Sequence, residues 1–194
     1  MRSFIDDFEP DRQTRILDVG GTSTIWDLTD VSSSIVLFNL FVPDDAEYRE
    51  NISWAQGDGC AMPYADGEFD VCFSNSTIEH LHTLDRQRRF AAEMRRVSRG
   101  IWLQTPARSF PFELHWLGFF IHWLPQRWQR RVARNFTLWG WVNRPTQEQV
   151  DELVDEYRLL SYREMRELFP DCEIRRERLL GLTKSYVAVR RLPL

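Results

Sequence analysis

Between Arg15 and Pro106 the chain alternates short apolar runs with polar, helix-compatible segments. "RILDV" (15–19), "SIVLFNL" (34–40), "FDVCFS" (69–74) and "GIWLQTP" (100–106) read as buried strands, with a weaker one in "NISWAQGD" (51–58). Between the last two strong runs, "LDRQRRFAAEMRRVS" (84–98) sets Leu84, Phe90, Met94 and Val97 near one helical face. This alternation predicts an α/β fold, a parallel sheet covered by helices on both faces.

After Pro106 the pattern changes. Residues 107–145 are dense in aromatic side chains with arginines between them, and read as an insert. A helix is expected around 146–169, then two strands, "CEIRRERLL" and "TKSYVAVRR", meeting at Gly181-Leu182. Strands so close in sequence pair antiparallel, because a parallel pair needs a crossover of a dozen residues or more. The sheet is thus expected to end in an antiparallel hairpin, and the 194 residues to form one domain.

The first strand runs into a tight turn, "ILDVGGTST". A dinucleotide site wants G-x-G-x-x-G, but here Thr22 and Ile25 stand where the second and third glycines belong. No Gly-Lys-Ser/Thr follows, so a P-loop is excluded as well. A nicotinamide oxidoreductase is therefore a distant alternative. The turn admits close approach of a ligand at Gly20 and Gly21 without being built around a pyrophosphate.

Farther on comes "GDGCAMPYADGEFDVCFSNSTIEHL" (57–81). Together with "ILDVGG" it resembles class I S-adenosylmethionine-dependent methyltransferases, in particular small members of the type 11 group. The likeness is strong over about residues 14–106 and looser beyond. It implies a Rossmann-like, seven-stranded, mostly parallel sheet with a terminal antiparallel hairpin and an aromatic insert after strand 5. It implies S-adenosylmethionine as cofactor and S-adenosylhomocysteine as product. Carried over by position, Asp18, Gly20, Gly21 and Thr22 hold the methionine part. Asn39 stands where an acidic residue usually meets the ribose, so an aspartate there is expected to tighten binding. Leu40 and Met62 flank the adenine, Asp58 and Gly59 bond to it, and Ser74 and Asn75 lie beside the sulfonium.

Methyl transfer to a hydroxyl benefits from a base, and two histidines are placed to serve: His115 in "FELHWL" and His80 in "IEHL". His80 has an equal reading as a structural partner of Glu79, and His82 and His122 read as surface or packing residues. His80 and His82 have no third ligand nearby, so no metal is expected. The acceptor is expected to be a small molecule or glycan bound by 107–145, in a cavity lined by Phe110, Phe112, Trp116 and Phe119. Two other readings stay open. One is a membrane-surface role for "FFIHWLPQRWQRR"; the other is a non-catalytic binding module, suggested by Asn39 and by how little helix precedes "RILDVGG".

Net charge is −4, which argues against a dedicated nucleic-acid binder. Cys60, Cys72 and Cys172 form no C-x-x-C pair, and the first residues are acidic where an export signal needs an apolar run. A reducing cytoplasm fits both. The longest apolar run, "LHWLGFFIHWL", is too short to cross a bilayer. Oligomeric state is left open.

Overall fold

A computed structural model describes residues 1–44, 46, 49–113 and 115–192. The strands are β1 (Arg15–Val19), β2 (Ser34–Asn39), β3 (Ile52–Gln56), β4 (Phe69–Asn75), β5 (Ser98–Pro106), the short β6 (Phe112–Glu113) and β7 (Gly118–Phe119), β8 (Glu173–Leu179) and β9 (Leu182–Arg190). The helices are α1 (Arg2–Phe8), α2 (Ser23–Asp27), α3 (Leu84–Val97), α4 (Gln126–Phe136), α5 (Leu138–Asn143), α6 (Gln147–Glu156) and α7 (Tyr162–Leu168). Seven strands form one sheet in the order β3-β2-β1-β4-β5-β9-β8. The first five run parallel, and β9 is antiparallel to both β5 and β8. β6 and β7 pair apart from it, in the insert.

Both faces are covered. On one, α3 turns Phe90, Ala91, Met94 and Val97 onto the sheet beside Met165 and Leu168 of α7. On the other, Phe4 of α1 and Trp26 of α2 pack edge-on with Phe73 of β4. The central strands are buried on both sides, which is why they read as unbroken apolar runs.

The helix expected over 146–169 is two helices, α6 and α7. The intervening residues run extended, and Leu160 bridges to Ala107 with Arg108 N–H donating to the Leu160 carbonyl at 3.0 Å. Ser161 then starts α7 with a capping box completed by Glu164. The short N-terminal segment also supplies more cover than expected. Phe4 and Phe8 of α1 stack at 5.4 Å, and Arg175 of β8 donates to both Asp7 carboxylate oxygens at 2.7 and 2.9 Å.

The insert has its own small core of Trp116, Ile121 and Ala133, which takes in Val150 and Val154 of α6 and so extends past residue 145. Its antiparallel β6–β7 pair places Phe112 opposite Phe119.

The β8–β9 hairpin turns on Leu180 and Gly181, with φ of 50° and 81°. Such two-residue turns favour Asn-Gly, because a left-handed conformation costs an ordinary residue about 1–2 kcal/mol. Leu180 is almost fully exposed and gains no packing in return. Leu180→Asn is expected to stabilise the protein by about 1 kcal/mol, a rise of about 2–4 °C in Tm at this size. An unchanged or lower Tm would mean that the turn carries no strain.

Candidate active site

The carboxyl ends of β1 and β4 face the point where strand order reverses, the usual ligand crevice of an open α/β sheet. β1 delivers Asp18 there, fully buried. Its Oδ2 accepts from Trp26 Nε1 at 2.7 Å, whereas its Oδ1 is buried without a hydrogen-bond partner. Burial pushes the Asp18 carboxyl up to about 7, and the Trp26 bond only partly opposes this.

Above Asp18 the chain turns through Gly20 (φ 82°) and Gly21. A Cβ on Gly20 would lie 2.3 Å from Thr77 Oγ1, and one on Gly21 would lie 1.9 Å from Asp18 Oδ2. Neither position tolerates a side chain. Asn39 closes the arrangement by donating its amide to the Gly21 carbonyl at 2.9 Å. That bond supplies a physical reason for the neutral residue at this position, because a carboxylate would set oxygen against oxygen. It argues against the expectation that an aspartate here tightens binding.

A cavity of about 260 Å³ opens beside the turn. Gly20, Asn39, Leu40, Asp58, Gly59 and Thr77 all contribute to its wall. Asp58 is already engaged there. Its Oδ1 accepts from Cys60 N–H at 2.9 Å, and Arg86 reaches both oxygens at 3.1 and 3.2 Å. The Cys60 N–H and the Arg86 guanidinium hold its carboxyl below the usual carboxylate range.

Other residues singled out from the sequence lie elsewhere. Ser74 is buried and donates to the Val19 carbonyl at 2.9 Å, tying β4 to β1. Met62 belongs to the core around Phe90 and is absent from the cavity wall. Thr22 is exposed at the start of α2, a helix of five residues, and lies outside that wall too.

A second cavity, of about 440 Å³, adjoins the first across the end of β4. Asn75 and Ser76 line this one, while Thr77 lines the other. Ser76 has φ 55°, and two bonds hold it to Gln104: its N–H donates to the Gln104 carbonyl and its hydroxyl to Gln104 Oε1, both at 3.0 Å. Trp102, Phe110, Phe112 and Leu179 contribute apolar wall, with Glu113, Glu177 and Lys184 as charged members. Lys184, the one lysine of the chain, sits where the β8–β9 register slips by a residue. Met1 reaches this cavity as well, so the N-terminal segment helps to enclose it.

Of the four residues expected on one cavity wall, Phe110 and Phe112 line this cavity and Trp116 and Phe119 do not. Trp116 is buried in the insert's own core, and Phe119 is exposed on its outer side.

His115 is not on the cavity wall; Glu113 is. The His115 Nδ1 hydrogen-bonds Glu113 Oε1 at 2.6 Å, and its ring stacks on Tyr157 at 4.3 Å. Glu113 Oε2 accepts from Trp116 N–H at 2.8 Å and from Tyr157 OH at 3.3 Å. Burial alone would lower the His115 pKa, but the hydrogen bond and charge of Glu113, aided by Glu79 and Glu156, raise it above the ordinary imidazole value.

His80 sits edge-on to His115 at 5.0 Å and pairs with Glu156 at 3.5 Å rather than with Glu79. Burial, with His115 beside it, lowers its pKa. Glu79 is buried instead against Thr105, whose hydroxyl donates to Oε2 at 2.8 Å. His82 and His122 bond the Asp155 and Arg108 carbonyls, which are packing roles. Glu113, Tyr157 and Thr77 were missed by sequence reasoning. Glu113 lay two residues before His115 and Thr77 within 57–81, both segments already singled out; Tyr157 lay in a stretch read only as helix. Among the described residues no three His, Cys, Asp or Glu side chains gather to hold a metal ion.

A family model described as "Methyltransferase domain" matches residues 26–100. That match covers β2 to the start of β5 and the helix α3 between them, with α2's end before it, and leaves the insert and the closing hairpin outside it. Solved structures share the fold of the whole chain. A SAM-dependent methyltransferase from Methanosarcina mazei superposes with a TM-score of 0.58 at 12% identity, covering 100% of this chain and 98% of that one. The 1,6-didemethyltoxoflavin-N1-methyltransferase of Burkholderia thailandensis gives 0.56 at 15%, covering 93% and 72%. A Rhodobacter sphaeroides chain named for zinc-dependent alcohol dehydrogenases gives 0.61 at 14%, covering 97% and 86%. At these identities the likeness is one of fold, so ligand and chemistry are argued from this chain's own residues.

Two outcomes test the glycine turn. Folded, Asp18 keeps its proton to about pH 7; unfolded, it loses it near 3.8. The folded state therefore loses stability as pH rises between these values, by up to about 4 kcal/mol. Asn in its place still accepts from Trp26, so denaturant titrations of Asp18→Asn should lack that slope. An equal slope in both proteins would remove Asp18 as its source. Asn39→Asp, which loses the bond to Gly21, should weaken S-adenosylhomocysteine binding in calorimetry by about 1 kcal/mol. Tighter binding would contradict the role given to the amide.

Proposed function

We propose that this protein is an S-adenosylmethionine-dependent methyltransferase acting on a hydroxyl oxygen of a small acceptor, a natural product or glycan end, held in the larger cavity. The observation that carries this reading is Glu113, a buried carboxylate in the wall of that cavity with His115 bonded behind it. A hydroxyl must lose its proton as it is methylated, and a carboxylate within reach can take it.

The residues at the turn suit the cofactor. Gly20 and Gly21 leave backbone where a ligand can lie close, and the unpartnered Asp18 Oδ1 beneath them suits an ammonium group, directly or through water. Asn39 keeps its side-chain oxygen for a ribose hydroxyl while its nitrogen holds Gly21. Leu40 and Gly59 frame the adenine end, and Asp58 accepts there only alongside Arg86. Ser74 and Met62 support the pocket from behind. S-adenosylmethionine, when bound, supplies a methyl group already activated by its positive sulfur.

The chain's own contribution is alignment, which can be worth about 7–11 kcal/mol. Asn75 and Ser76, held by Gln104, stand between the two cavities, where acceptor and methyl meet. Glu113 takes the proton. His115 is a positioning residue: as an imidazolium it balances the buried carboxylate and fixes its Oε1. A cavity of about 440 Å³ is of small-molecule size. The Burkholderia neighbour, which binds 1,6-didemethyltoxoflavin and S-adenosylhomocysteine, is likewise a small-molecule enzyme, though its name gives a nitrogen acceptor.

With a panel of hydroxylated aromatic acceptors and S-adenosylhomocysteine release as readout, Glu113→Gln should lower kcat by about 10²–10⁴-fold. Cofactor affinity should stay as it was. His115→Gln should cost less and shift the pH profile of kcat, because the raised imidazole no longer faces Glu113. Full turnover by Glu113→Gln, or transfer to amines only, would overturn the oxygen reading.

A further inference from the structure

The outer side of the insert is unusual for a protein surface. Phe119, Phe120, Trp123, Trp128, Phe136 and Trp141 are all between about two-fifths and four-fifths exposed. Apolar exposure on this scale marks a contact surface. It is also continuous with the acceptor cavity. Phe112, in the cavity wall, meets Phe119 at 5.0 Å; Phe119 meets Phe120 at 6.0 Å, and Phe120 meets Trp123 at 5.1 Å.

Charge tells what fits this face. From residue 114 to 147 the chain holds five arginines and no Asp or Glu, in a protein whose net charge is −4. Arg130 is taken up by Asp151 and Asp155. Arg127, Arg131 and Arg134 are exposed and make no ion pair among the described residues; Arg131 lies over the Trp128 ring at 5.7 Å. A second copy would bring like charge against like. Exposed Trp and Phe interleaved with arginine is instead the composition of a helix lying in a membrane interface. α4 is eleven residues long, and among the described residues no helix is long and apolar enough to cross a membrane.

We propose that this face seats the enzyme on an anionic lipid surface, its aromatic rings in the headgroup boundary and Arg127, Arg131 and Arg134 against lipid phosphates. The acceptor is then an amphiphile presented from that surface along the Phe120–Phe119–Phe112 ladder, a step that rests on the cavity reading above.

The test is co-sedimentation of the full chain with vesicles of phosphatidylcholine alone or mixed with phosphatidylglycerol, with S-adenosylhomocysteine titration run in parallel. The protein should pellet with the mixed vesicles and much less with the neutral ones. Replacing Arg127, Arg131 and Arg134 by Gln should lower partitioning about a hundredfold, the sum expected for three arginines at an anionic surface. Phe119→Ser with Phe120→Ser should weaken retention at high salt, and neither variant should change S-adenosylhomocysteine binding. No sedimentation, or equal sedimentation of the Gln variant, would overturn the proposal. So would a concentration-dependent dimer in light scattering that the Phe119→Ser, Phe120→Ser variant abolishes. Vesicle binding without S-adenosylhomocysteine binding would instead defeat the cofactor reading and leave the lipid face standing.

Discussion

A carboxyl group buried away from the protein surface organises this molecule. Asp18 ends β1 fully buried, with one oxygen on Trp26 and the other unpartnered. Only a residue without a side chain can sit above it, which makes Gly21 obligatory, and Thr77 imposes the same on Gly20. The Asn39 bond to Gly21 then joins the end of β2 to the turn. Three strand ends are thus locked around one group at the point where the sheet order reverses. A buried carboxyl is costly to the folded protein, and its survival at such a place is what a cation-binding site requires.

The two halves of the site are built on different principles. The turn half is rigid backbone, held by strand pairing and short bonds, and suits a ligand of constant shape. The half around the larger cavity is assembled from parts distant in sequence: Met1, the end of β5, the insert and the slipped residue Lys184 of the closing hairpin. Aromatic walls on loops and short elements can be varied without disturbing the sheet. In that half the buried carboxylate of Glu113 is secured by three hydrogen bonds, one of them to the His115 imidazole.

Much of the fold was legible because the central strands are buried on both faces, so their side chains need no polar alternation. Strand ends fell within two residues of those read from "RILDV", "SIVLFNL" and "FDVCFS". The break between α6 and α7 was written in Ser161 and Glu164, a capping-box pattern that the apolar periodicity overrode. α1 hid behind its carboxylates, since its value lies in Phe4 and in the distant pair Asp7–Arg175. For the site, glycine and strand-end positions were readable because backbone geometry demands them. Asp58, Ser74 and Asn39 were harder to read. Apart from the local Cys60 N–H on Asp58, what these groups bond to depends on partners 18 to 55 residues away, which nothing local announces.

The central claim is that the turn after β1 holds the cofactor. Hydrogen–deuterium exchange of the full chain with and without S-adenosylhomocysteine tests it most directly. The account predicts slower exchange at residues 19–22, 39–41 and 57–59, with no comparable change in the outer face of the insert and no protection from NADH. Protection confined to other segments, or conferred at the turn by NADH and not by S-adenosylhomocysteine, would contradict it.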